Sequence, residues 1–70
     1  MQLLQLTTAE KIVIYRHRNH LSQTTLADLA HFSTSTLARI ESGSRSVTLD
    51  ELSAIANVLR VSVSDLLPDN

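Results

Sequence analysis

Seventy residues, 43% of them hydrophobic, with two aromatics and no cysteine, make one small domain that hides only about 60% of its unfolded surface. That size leaves no second domain and little room for a catalytic cleft, and the absence of cysteine removes a disulfide framework, a thiolate metal site and a cysteine nucleophile. The net charge of −1 argues by itself against a polyanionic partner, yet residues 1–45 carry +2 and residues 46–70 carry −3.

Residues 1–6, MQLLQL, form an N-terminal arm open to three readings: a leader, a short strand, or an apolar arm seeking a partner. Thr7 with Glu10 has capping-box spacing, and Ala9, Ile12 and Val13 share a face in a helix running to about Asn19. Ser22 caps a short second helix through Ala30, with Leu26, Leu29 and Ala30 at the spacing of a buried stripe. Ser33 caps a third over residues 34–42, in which Leu37 and Ile40 point inward and Gly43 supplies a left-handed exit. Thr48 with Glu51 opens a fourth, whose inner face is Leu49, Leu52, Ile55, Ala56 and Leu59. Ser62 with Asp65 starts a last turn through Val63, Leu66 and Leu67, which Pro68 ends. The expectation is an all-α domain of five helices over residues 7–67, with residues 68–70 as a C-terminal tail.

Only His31, Phe32 and Ser33 separate the second and third helices, which is helix-turn-helix spacing. The stretch LSQTTLADLAHFSTSTLARIESG, residues 21–43, closely resembles the lambda-repressor-like (Cro, XRE) helix-turn-helix family, and SVTLDELSAIANVLRVSVSDLL resembles that family's fourth and fifth helices. The resemblance implies a five-helix DNA-binding domain and a sequence-specific transcriptional regulator acting on double-stranded DNA without a cofactor. The family usually has Gly where this chain has His20 and His31. His31 is therefore expected to take positive φ, at some cost for a residue with a Cβ.

On a helical wheel the third helix sets Ser35, Ala38, Arg39 and Ser42 opposite Leu37 and Ile40. The resemblance implies that this row and Thr34 face the major groove, where Arg39 reads guanine, the hydroxyls meet either base type and Ala38 meets a thymine methyl. It also implies that Gln23 binds a phosphate and steadies the start of the third helix. Ser22, Ser33, Ser42, Ser44, Arg45 and Ser46 lie at helix starts or in the loop after the third helix, where amides and hydroxyls contact phosphates. Arg18 is a weaker candidate. Arg16 falls at the centre of the first helix's apolar face, where a lone guanidinium is costly; Glu41 flanks the buried side of the third helix, so an Arg16–Glu41 ion pair is the economical solution, and the family resemblance points to the same pair.

His17 and His20 are spaced to share a face, but no carboxylate stands at metal-ligand spacing, and a metal site is not expected. No Ser-His-acid grouping and no Gly-rich phosphate loop suggests catalysis, so the chain is read as a non-enzyme. The longest apolar run, Ile12 to Tyr15, is far too short to span a membrane, and the N-terminus lacks a basic start and a cleavage motif; a soluble cytoplasmic protein is expected. One recognition helix covers only a few base pairs, so a homodimer on a palindromic operator is expected, paired through Val58, Val61, Val63 and Leu67. The same valines and Leu67 would otherwise close the small core. With no room for a sensor domain, regulation falls to concentration or to a regulatory protein partner, as in a small repressor or controller. The competing class is a protein-interaction module, such as an antitoxin or adaptor, that keeps this fold with weak or no DNA binding.

Overall fold

Every helix among the described residues begins at a hydroxyl. In the computed structural model, which describes residues 5–69, the helices are α1 (Thr8–Arg18), α2 (Gln23–Leu29), α3 (Thr34–Glu41), α4 (Leu49–Leu59) and α5 (Val63–Leu66). Their N-caps are Thr7, Ser22, Ser33, Thr48 and Ser62, each extended, and each side-chain oxygen accepts the N–H three residues on. Thr7–Glu10, Thr48–Glu51 and Ser62–Asp65 close reciprocally as capping boxes, so backbone donors that would face water unpaired are satisfied locally.

The helix ends share a second device. At α1, α2, α3 and α4 one residue turns left-handed, and its N–H and the next N–H reach back to carbonyls of the last turn, satisfying acceptors the helix leaves free. The four residues are His20 (φ 57°), His31 (φ 65°), Gly43 (φ 79°) and Arg60 (φ 60°). The paired bonds run from His20 and Leu21 to His17 and Arg16, from His31 and Phe32 to Asp28 and Ala27, from Gly43 and Ser44 to Ile40 and Arg39, and from Arg60 and Val61 to Asn57 and Ala56. His31 and Gly43 adopt the backbone expected of them, whereas Arg60 carries no sequence signal for a left-handed position.

The core is a single cluster centred on Ile12, Leu26, Leu37, Ile40, Ile55, Leu59 and Leu66, with Ala27, Ala30, Leu52 and Ala56 filling between them. α2 packs on α3, α1 lies against α3, α4 and α5, and α4 closes the bundle over α2 and α5. Two core assignments need correcting. Leu29, expected in α2's stripe, is 55% exposed, and Leu49, expected on α4's inner face, is 68% exposed. α2 instead buries Leu26, Ala27 and Ala30, because alanine's small side chain lets α3 approach closely. Leu49 is the first residue of α4 and projects past the helices that cover the rest of its row.

The two ends of the described chain meet. The Leu6 N–H donates to Asp69 Oδ2 (3.0 Å) and the Asp69 N–H to the Leu6 carbonyl (3.2 Å), while Lys11 Nζ bridges Asp69 Oδ1 (2.7 Å) and the Leu67 carbonyl (2.7 Å). Of the arm MQLLQL, residues 1–4 lie outside the described residues.

Candidate nucleic-acid interface

α2 and α3, joined through His31, Phe32 and Ser33, form a helix-turn-helix braced from behind by a polar network inside the apolar core. Arg16 is 9% exposed. Its Nε donates to Glu41 Oε2 (2.8 Å), Nη2 to Glu41 Oε1 (3.1 Å) and Nη1 to the Leu21 carbonyl (2.8 Å). Gln23 Nε2 adds a third bond to the same carboxylate, at Oε1 (2.9 Å). Two donors from one planar guanidinium onto both oxygens of one carboxylate fix orientation as well as distance. The cluster therefore pins α1, the first turn of α2 and the last turn of α3 to one another. Gln23 differs here from its expected role: its amide bonds Glu41 at the C-terminal end of α3, and among the described residues it makes no hydrogen bond to the start of that helix.

The outward face of α3 has Thr34, Ser35 and Arg39 exposed and Ala38 half-buried. Among the described residues the Arg39 guanidinium makes no ion pair or hydrogen bond, so its donors face solvent. Ser33 is occupied as a cap, accepting from the Thr36 N–H (3.1 Å) and donating to Thr36 Oγ1 (2.8 Å); Ser22 does the same for Thr25. Ser42 Oγ and Ser44 Oγ both turn back to the Arg39 carbonyl, at 3.0 and 3.3 Å, and tighten the exit of α3. The unpaired N–H groups at the start of α3 and the hydroxyls not spent on caps are the neutral donors this face offers an anion.

Arg45, in the loop between α3 and α4, is not free. Its Nη1 and Nη2 donate to Glu51 Oε1 (3.0 Å) and Oε2 (2.8 Å), and Nη1 also reaches the Ser46 carbonyl (3.1 Å). The Arg45 hydrogen bonds, with the Thr48 N–H, pull the Glu51 carboxyl from the ordinary 4.5 down to about 2, and the same carboxylate raises the Arg45 guanidinium. This pairing was not foreseen, although the Thr48–Glu51 capping box that places the carboxylate was legible. Arg18 lies over the Tyr15 ring, 5.3 Å from its centre, a cation–π contact, beside a shallow cleft of about 150 Å³ between α1 and the paired chain ends. None of the expected DNA-contacting residues except this weaker candidate lines that cleft.

Of the four residues expected at a dimer interface, Val58, Val61 and Val63 are half-buried against the core cluster, and only Leu67 is exposed, at 45%. The valines thus close the core as well as presenting an edge. Among the described residues no group of His, Asp and Glu is placed to hold a metal ion, and no helix is long and apolar enough to cross a membrane.

A helix-turn-helix carried in a domain that shows, among the described residues, five helices in this order and no strand is a lambda-repressor-like DNA-binding fold. The chain belongs to the helix-turn-helix family, of the Cro/XRE type, whose pattern matches residues 6–66. Among solved structures it is similar to the restriction-modification controller protein C.AhdI from Aeromonas hydrophila, at 28% identity and TM-score 0.83 over 86% of this chain and 91% of that one. It is similar as well to the master regulator for biofilm formation SinR in complex with DNA, at 30% identity and TM-score 0.82 over 86% and 97% of the two chains. The clp gene regulator ClgR from Corynebacterium glutamicum shares the fold at 22% identity and TM-score 0.82 over 84% of this chain, which spans 63% of ClgR's length. No curated protein matches the chain in sequence.

Proposed function

We propose that the chain is a small transcriptional repressor or controller that binds a specific duplex operator as a homodimer. Thr34, Ser35, Ala38 and Arg39 are its base-reading residues. Ser22, Gln23, Ser33, Ser42, Ser44, Arg45 and Ser46 face the phosphates. The observation that carries this reading is the pairing of an unengaged, exposed Arg39 on α3 with the buried Arg16–Glu41–Gln23 cluster that fixes the angle of that helix. An arginine held on a rigid helix offers guanine two donors at little entropic cost. The likeness to solved regulators, one of them in complex with DNA, supports the same reading. Residues 7–67 are the binding unit, with residues 1–6 as an arm and residues 68–70 as a tail. The protein acts in the cytoplasm, without a cofactor or a catalytic step, and its output is set by concentration or by a regulatory protein partner.

The test is a titration of duplex binding against salt combined with selection from a random duplex pool. Binding should weaken steeply as salt rises, because each neutralised phosphate releases a counterion. Arg39→Ala should relax preference at one base pair of each half-site, lowering discrimination there by about 1–3 kcal/mol. A flat salt response would favour a protein-interaction module on this fold. A selected motif unchanged by Arg39→Ala would remove Arg39 from base reading.

A further inference from the structure

Besides Arg16 in the buried cluster, a second arginine, in the loop after α3, is held by a carboxylate. Arg45 sits four residues beyond the end of α3 and is clamped by Glu51 on both carboxylate oxygens, with Nη1 also donating to the Ser46 carbonyl. A guanidinium has five N–H donors, so this arrangement leaves only Nε–H and one N–H of Nη2 for a ligand. The geometry is the one in which an arginine grips a phosphate. Glu51 cannot swing away freely, because the same Oε1 accepts the Thr48 N–H (2.9 Å) that opens α4. The side chains are 33% and 19% exposed, so a duplex phosphate would approach a pair that is accessible but already neutral.

We propose that Glu51 is an intramolecular competitor for the phosphate ligand of Arg45, holding the affinity of the α3–α4 loop for duplex DNA below what its arginine alone would provide. This rests on the DNA-binding reading above and assigns Glu51 a tuning role within it. The capping duty explains why the carboxylate stays in place: α4 fixes the competitor, and the loop brings the arginine to it. Arg39, with no such partner among the described residues, keeps its charge for the base edge, so specificity is spared while uniform backbone affinity is held down.

Glu51→Gln is the informative variant, since a glutamine oxygen still caps Thr48 while the charge is gone. Wild type, Glu51→Gln, Arg45→Ala and the double variant are titrated against salt on one short mixed-sequence duplex, with thermal melting to confirm that each is folded. Glu51→Gln should steepen the slope of log affinity against log salt by about 0.9 and tighten binding by up to about eight-fold at 0.1 M salt. Arg45→Ala should change the wild-type slope far less than it changes the slope of Glu51→Gln. A Glu51→Gln slope equal to that of wild type, or an Arg45→Ala loss as large in wild type as in Glu51→Gln, overturns the competition while leaving DNA binding in place. A flat slope for wild type and Glu51→Gln alike overturns the DNA-binding reading, and the competition with it.

Discussion

At Arg16, burial and charge oppose one another. Taking a guanidinium and a carboxylate out of water costs several kcal/mol per ion, and their attraction offsets this only if the remaining donors and acceptors are also satisfied. Here each guanidinium nitrogen and both carboxylate oxygens have a partner: the Leu21 carbonyl accepts from Nη1, and Gln23 supplies one more bond to Glu41. Removing either partner strands the other, so Arg16→Met and Glu41→Gln should each cost about 3 kcal/mol in urea unfolding. The double variant should lose at least about 1 kcal/mol less than the sum of the two; additive losses would break the pair as an energetic unit. The left-handed positions hold a different reserve. A residue with a Cβ in that region pays about 1–2 kcal/mol, against about 0.5–1 kcal/mol of extra chain entropy lost by Gly. His31→Gly is therefore expected to stabilise by about 0.5–1 kcal/mol and to raise Tm by about 2–8 °C. A melting curve that does not move would show the turn to be unstrained.

The elements begin where their hydroxyls and acids say they should, because a cap is a contract among four consecutive residues and needs no tertiary partner. Where each helix buries its surface is another matter. Leu29 and Leu49 fit their wheels and are exposed nonetheless, since a residue in the first or last turn is covered only if a neighbouring helix extends over it. The first turn of α4 also gives a pH signature. Folding depresses the Glu51 carboxyl from 4.5 to about 2 and lowers Asp65 and Asp69, the former through the Ser62 bonds and the latter chiefly through Lys11. Depressed carboxylates contribute stability that is complete above their unfolded pKa and is lost as pH falls through the folded one. Stability should therefore decline between pH 4.5 and pH 2, and Glu51→Gln should flatten part of that decline in urea midpoints taken across the window. An unaltered slope would remove Glu51 from the acid response.

For the molecule as a whole, the question is what its remaining apolar surface is for. The radius of gyration, 11.5 Å, is close to the roughly 11 Å of a well-packed chain of this length, so the core is already served. Val58, Val61 and Val63 are partly spent on it, and Leu67 stands exposed beside them. Among the described residues one protomer has few unpaired cations to hold a duplex, and in the proposed dimer a second recognition helix one turn along the groove would compensate. Sedimentation equilibrium at micromolar concentration should find a dimer. Leu67→Asp should dissociate it without loss of helicity, because that side chain is not in the core. A clean monomer that still binds a single half-site would overturn the dimer.

The sequence by itself determined what is local: five helix starts, the inward Leu37 and Ile40, the helix-turn-helix spacing, and an arginine that its wheel position forced toward a carboxylate. Each of these depends on residues within about one or two turns, or on the cost of burying a charge, and both are written in the order of side chains. Tertiary structure alone decided the rest. It gave Gln23 to the end of α3 and not its start, gave Arg45 to Glu51, joined Leu6 and Lys11 to Asp69, and left Leu29 and Leu49 in water. Those outcomes depend on how far one short helix reaches over another and on where a loop brings its side chain. These are distances set by packing among elements remote in sequence, and no periodicity along the chain encodes them.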